Sequence, residues 1–189
     1  MSMQTWVEQI AYQPISGTLF NTYTTAKTVI TPTALVSLPP NYLTIGKLLR
    51  IKVQGGLSNI TTAQPTFTFQ VMLGSIVVHT SGAITTSTTA HTLIPFDYEV
   101  LLRVNAVGSS TSANMLGQGV LRGIMFVVGA VADPTTYTAN TMMCPNTAPA
   151  AGTGYDSTIA NVLDFWVGIS ASNAANGIQI YNYSVEALN

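Results

Sequence analysis

The sequence predicts an all-β fold: a single antiparallel β-sandwich of about eight strands with a jelly-roll-like course. Three observations carry that expectation. Apolar residues recur with period two in segment after segment, Gly and Pro punctuate the chain at the spacing of short strands, and no segment sustains a helical period. Alternating strands joined by long crossovers, without helices, pack as two sheets. The Cys, Trp, Cys spacing of an immunoglobulin-like sandwich is absent.

In chain order, residues 1–17 hold Trp6 and Tyr12 amid polar residues and read as an extended N-terminal arm, leaving 18–189 as the sandwich domain. A strand falls within Lys27–Ser37. Over Leu48–Gln54, Leu49, Ile51 and Val53 oppose Arg50, Lys52 and Gln54, and Gly55-Gly56 then reads as a turn. Thr66–Leu73 sets Phe67, Phe69, Val71 and Leu73 against Thr66, Thr68 and Gln70, and a further strand spans Ser75–His79. From Leu93, Ile94, Phe96, Tyr98, Val100, Leu102 and Val104 alternate with Asp97, Glu99, Arg103 and Asn105. Pro95 cannot donate to a ladder, so its part of the strand belongs at a sheet edge or bulge.

Met115–Val131 reads as one long bent strand or two, with Gly117-Gln118-Gly119 as a kink. Within it Val120–Val131 is apolar on both faces apart from Arg122, which calls for a second layer, expected from another subunit. Asp133–Ile159 is the longest irregular stretch, of the kind that is functional or covered by a partner. Val162–Ser170 and Gly177–Leu188 close the set.

Charged residues make up 7% of the 189, six basic and seven acidic, against roughly 25% in ordinary domains. Thr, Ser, Asn, Gly and Ala stand in their place, so much of the surface is expected to be covered by neighbours. The charges are scattered, which leaves no basic patch for nucleic acid. The longest apolar stretch, Gly123–Ala132, is half of what a spanning helix needs, so no membrane association is expected. The first ten residues lack the basic and apolar regions of a secretory signal. Cys144 stands alone, which fits a cytosolic origin; with no His or cation nearby in sequence it reads as a small buried residue.

Few residues invite chemistry. Asp97 and Glu99 share one face of a strand about 7 Å apart, a separation an inverting glycosidase uses, but Arg103 on the same face makes a solvated ion-pair surface the simpler account. His79 and His91 form no metal-binding spacing. Asp133, Asp156 and Asp164 flank the long loop without a spaced run for a hard cation. Trp166, Tyr181 and Tyr183 lie on the two C-terminal strands, where aromatics stack on sugars, anchor interfaces or fill cores. Asn59-Ile60-Thr61 and Asn182-Tyr183-Ser184 match the glycosylation sequon. No catalytic residue, cofactor or metal ligand is assigned.

Several segments resemble small virion-associated proteins of tailed bacteriophages: Leu38-Pro39-Pro40-Asn41-Tyr42-Leu43, Ser87-Thr88-Thr89-Ala90-His91-Thr92, and Ala113-Asn114-Met115-Leu116-Gly117-Gln118-Gly119. The C-terminal block from Pro145-Asn146-Thr147 through Gly154-Tyr155-Asp156-Ser157-Thr158 to Glu186-Ala187-Leu188-Asn189 is the most specific. The likeness covers about residues 18–189 and implies a structural role in the virion without defining a site. Asp97-Tyr98 stands where a Phe-Trp-like pair would be expected.

These readings lead to a capsid decoration, or cement, protein: a homo-oligomer, with a trimer favoured, assembled in the host cytoplasm, that binds the major capsid protein on the outer head surface and bridges capsomers. Trp6, Tyr12, Arg122, Phe126, Trp166 and Tyr181 are the interface candidates. The alternative is a carbohydrate-binding receptor or tail/fibre-associated adhesion module using Trp166, Tyr181 or the Asp133–Ile159 loop. An enzyme is not expected, because it would rest on Asp97 and Glu99 alone.

Overall fold

The computed structural model describes residues 7–126 and 140–188, and among them the period-two segments fold as antiparallel strands. These are β1 (Val7–Tyr12), β2 (Phe20–Asn21), β3 (Lys27–Thr28), β4 (Val36–Leu38), β5 (Leu48–Asn59), β6 (Thr66–Leu73), β7 (Ile76–Thr85), β8 (His91–Ala106), β9 (Asn114–Gly123), β10 (Asn140–Cys144), β11 (Asn161–Ile169) and β12 (Gly177–Leu188). One short 3-10 turn, Pro32–Ala34, separates β3 from β4 where Pro32 pre-sets φ. Among the described residues no helix is long and apolar enough to cross a membrane.

The strands form two sheets. The larger runs β1-β12-β5-β8-β9-β10, with β2 also on β12; the smaller runs β3-β11-β6-β7, with β4 also on β11. Take β1, β3, β5, β6, β7, β8, β11 and β12 as the first to eighth strands of a roll. The large sheet then reads first, eighth, third, sixth and the small sheet second, seventh, fourth, fifth, which is the course of a jelly roll. The pair β9–β10 is inserted between the sixth and seventh strands and widens the large sheet beyond β8.

The core is the sum of the inward faces. Phe67, Phe69, Val71 and Leu73 of β6 and Leu163, Phe165, Val167 and Ile169 of β11 meet Leu49, Ile51 and Val53 of β5 and Tyr98, Val100 and Leu102 of β8, all buried. Phe69 is central: its ring lies 5.3 Å from Tyr98, 5.7 Å from Phe96, 6.1 Å from Phe165 and 6.3 Å from Phe126. Burying each such side chain contributes about 1.5–3 kcal/mol. A one-residue slip of any of these strands would turn its rings to solvent, so the pattern that predicted the strands also fixes their register.

Four local expectations turn out differently. Val7–Tyr12 of the segment read as an arm lies along β12, with Val7 opposite Leu188 and Tyr12 opposite Ser184. Gly55-Gly56 is not a turn but the middle of β5, paired to β8 and β12 on either side. The both-faces-apolar strand stops at Gly123, after which Met125 and Phe126 fold back into the core and Thr86 bridges Phe126; residues 127–139 lie outside the described residues. Finally, the later half of the long irregular stretch is docked on its own chain. Asn146 donates to the Ser81 carbonyl, Gly152 to Met115, and Tyr155 and Ala113 exchange backbone hydrogen bonds. Pro95 sits as expected: β9 pairs with β8 only from Phe96 onward, so that end of β8 is a local edge on its β9 side.

Candidate functional site

Antiparallel registry places residues from neighbouring strands side by side on one face, and on the outer face of the large sheet it aligns four polar side chains from four strands. Asn182 of β12 stands opposite Gln54 of β5, Gln54 opposite Asp97 of β8, and Asp97 opposite Arg122 of β9. The side chains form one hydrogen-bonded row. Asn182 Nδ2 donates to Gln54 Oε1 at 3.2 Å, Gln54 Nε2 donates to Asp97 Oδ1 at 3.4 Å, and Arg122 Nη1 donates to Asp97 Oδ2 at 2.6 Å. The row is solvent-accessible, with 34% of the Asp97 side chain and 46% of that of Arg122 exposed.

Beside the row lies Tyr181. The ladder between β12 and β5 steps from Ile180–Gly55 to Asn182–Gln54 and skips Tyr181, so Tyr181 is the extra residue of a β-bulge. A bulge re-aims side chains: Ile180 and Tyr183 are buried, while Tyr181 and Asn182, consecutive residues, both reach the outer side. Tyr181 crosses the backbone of Gly56, where an added Cβ would come within 2.9 Å of the Tyr181 hydroxyl and 3.0 Å of the Leu93 carbonyl oxygen. Glycine at 56 is therefore the floor on which the phenol rests. Nearby, Leu93 holds φ 50°, a left-handed conformation strained for a branched residue. Gln54, Gly55, Pro95, Phe96, Asp97, Arg122, Gly123, Ile124, Tyr181 and Asn182 together enclose a shallow basin of ≈580 Å³, within the size range of small-ligand sites.

The next row on the same face carries Tyr12, Ser184, Lys52, Glu99 and Val120, and the one after it Glu186 and Arg50, joined by an ion pair of 2.9 Å. Asp97 and Glu99 do share a face, as their spacing requires. The partner of Asp97 is Arg122 rather than Arg103, which donates instead to Asn105 Oδ1 at 3.0 Å. Neither the rung formed by Arg122 nor the contributions of Gln54 and Asn182 were legible in the sequence. Strand registry between distant segments creates them, and the glycine pair, read in the sequence as a turn, is the local trace of the close approach of Tyr181.

The remaining candidates lie elsewhere. Trp166 is half-buried on the outer face of the small sheet, with its indole N–H bound to Asp164 Oδ2 at 2.6 Å. Phe126 is fully buried within the core, Tyr12 is 59% exposed on β1, and Trp6 lies outside the described residues. Tyr183 points inward, and burial raises its hydroxyl pKa. His79 is buried, its Nε2 2.9 Å from the Tyr98 hydroxyl, and burial lowers its pKa to about 4. The Cys144 thiol is pushed up to about 11 by burial, the behaviour of an inert packed residue. Asn59, the first sequon asparagine, is 1% exposed and uses its amide on Ser87, Thr89 and His91. Asp156 accepts from the Ser110 and Thr158 backbone in an exposed turn, Asp164 is buried on the small sheet, and Asp133 lies outside the described residues. Among the described residues no group of three or more His, Cys, Asp or Glu could hold a metal ion.

No protein-family model matches the chain, and no curated protein matches it. Among solved structures, the chain is similar to the CBM2 module of the evolved Dit of Lactobacillus casei BL23 phage J-1, with 10% identity and a TM-score of 0.43 over 99% of this chain and 98% of that chain.

Proposed function

We propose that this chain is a structural virion protein of a tailed phage that acts as an adhesion module, binding carbohydrate in the basin on the outer face of its large sheet. The observation that carries the reading is the four-strand row Asn182–Gln54–Asp97–Arg122 beside the phenol of Tyr181. Sugars present hydroxyls that both donate and accept, together with an apolar C–H face. Amide, carboxylate and guanidinium groups answer the first, and an aromatic ring answers the second. The resemblance of residues 18–189 to virion proteins supports the setting. Binding rather than hydrolysis is favoured because Asp97 is engaged by Gln54 and Arg122, and Glu99 stands opposite Lys52. The test is a glycan array probed with the purified chain, with Tyr181→Ala and Gln54→Ala alongside. Signal lost in both variants supports the reading; an array with no signal, or signal that survives both changes, sinks it.

A second reading, capsid decoration as a trimer on the major capsid protein, is favoured by one observation. Strands β6, β7 and β11 carry a single charged residue, the buried Asp164, so the outer side that these three strands form exposes little charge and is rich in Thr. Such a surface suits contacts between subunits. Saturable binding to purified heads that lack the protein would select this reading, and a monomer that ignores heads would remove it.

A further inference from the structure

We propose that the ligand of the basin is a neutral, oligomeric glycan lying across the strands, rather than an acidic sugar or a single terminal ring. The proposal rests on the carbohydrate-binding reading above and adds the ligand's charge, length and direction.

Charge comes from the registry. Arg122 stands opposite Asp97, Lys52 opposite Glu99, and Arg50 opposite Glu186, so each cation in these three rows faces an anion. Two of the pairs are closed ion pairs, at 2.6 Å and 2.9 Å. The fourth cation of the face, Arg103, is opposite Leu48, several residues along the strand from the basin. An acidic sugar entering the basin would meet the like charge of Asp97 and an Arg122 whose charge that carboxylate already balances. A neutral hydroxyl meets no such conflict. Once the row's own bonds are made, Asn182 keeps Oδ1 and one N–H, Gln54 keeps one N–H, Arg122 keeps four N–H donors, and Asp97 keeps free lone pairs. That mixture of donors and acceptors matches hydroxyls better than it matches an anion, which can only accept.

Length and direction come from the spacing of the strands. Four side chains on four adjacent strands span three gaps of about 4.8 Å, roughly 14 Å in all, perpendicular to the strands. A single sugar ring covers only part of that row, whereas a short chain of rings running along it reaches every rung. Tyr181, on the β12 side of the row, offers one ring a flat apolar face.

The experiment is calorimetric titration of the purified chain with neutral hexose and N-acetylhexosamine oligomers, from monosaccharide to hexasaccharide. Uronic-acid oligomers of the same lengths are run beside them, at about 0.01 M and about 1 M salt, where screening lengths are roughly 30 Å and 3 Å. The expected result is affinity for a neutral series that rises at least about tenfold from the monosaccharide to the longer oligomers and changes less than about twofold with salt. It should be lost in Gln54→Ala and kept in Arg103→Ala. Preference for the uronic-acid series with affinity falling in salt, or a monosaccharide bound as tightly as the oligomers, overturns this inference while leaving carbohydrate binding in place. Binding to neither series, or binding unchanged in a folded Gln54→Ala, overturns the reading on which it rests.

Discussion

The two outer faces of the sandwich use charge in opposite ways. Strands β5, β8, β9 and β12 of the large sheet hold Arg50, Lys52, Asp97, Glu99, Arg103, Arg122 and Glu186, more than half of the six basic and seven acidic residues of the whole chain taken together. Strands β6, β7 and β11 hold one. The contrast is sharpest between two aspartates that each sit near an aromatic. Asp164 is buried and accepts from the Phe165 N–H, the Thr28 hydroxyl and the Trp166 indole, so its hydrogen-bonding capacity serves the fold. Asp97 is accessible and stands in an open row with amides and a guanidinium. Similar residue types therefore make a structural clamp on one side and an open, accessible row on the other, and what separates them is how many partners the chain itself supplies.

Removing each aspartate in turn tests that distinction, and the largest effect is expected on the small sheet. Asp164→Ala strips three hydrogen bonds from a buried carboxylate site and should cost about 3 kcal/mol, a fall in Tm of roughly 10 °C, with glycan binding retained below the transition. A Tm within a degree or two of the parent would mean that Asp164 is not the clamp described here. Acid reports on the contact between the sheets, because the His79–Tyr98 hydrogen bond joins β7 to β8. The folded His79 titrates at about 4 instead of 6.5. Between those values the unfolded chain holds a proton that the folded chain does not. Stability is therefore complete above about pH 6.5 and declines as pH falls toward 4, by up to about 3 kcal/mol. Urea titrations across that window should show the slope, and His79→Gln should flatten it; an equal slope in the variant would assign the effect to other groups.

Smaller effects follow on the large sheet. Gly56→Ala places a methyl under Tyr181 and against the Leu93 carbonyl oxygen, and should weaken glycan affinity by about tenfold, equivalent to about 1.4 kcal/mol, by tilting the phenol. Unaltered affinity would show that the ring's seat does not matter. Asp97→Ala should leave the melting curve within about 1 kcal/mol of the parent, since an accessible ion pair contributes little, while abolishing binding. Loss of stability as large as in Asp164→Ala would erase the contrast between the faces. Smallest of all, Thr68→Lys on the small sheet should shift stability by no more than about 0.5 kcal/mol. Under the decoration reading it should nonetheless prevent attachment to heads, measured by co-sedimentation.

Much of the architecture was legible in the sequence because period two is a local signal. Thr66–Leu73 and Gly177–Leu188 appear with the limits their alternation implied, and the two-sheet roll follows from strands of that kind. Gly55-Gly56 misled because glycine is the residue of turns and also of close approach, and only the position of Tyr181 decides between them. The site was half legible. Tyr181 and Arg122 stood out by type, and Asp97 by its neighbour Glu99. The row that joins them depends on β12, β5, β8 and β9 lying side by side, and their members are separated by up to 128 positions in the chain. Trp166 drew attention as the larger aromatic, but nothing in its local sequence revealed that Asp164 and Thr28 would hold the edge of that strand so firmly.

The placement of β9 and β10 has a further consequence. The eight strands of the roll close in their alternating order without this pair, yet β9 supplies Arg122, the last rung of the row, and Gly123, part of the basin's wall. The row is thus split between the eight-strand frame, which contributes Asn182, Gln54 and Asp97, and an appended pair of strands, which contributes Arg122. Under the proposed carbohydrate-binding reading, exchanging the segments that lead into and out of that pair would retune the ligand without redrawing the topology that holds the other three residues in line.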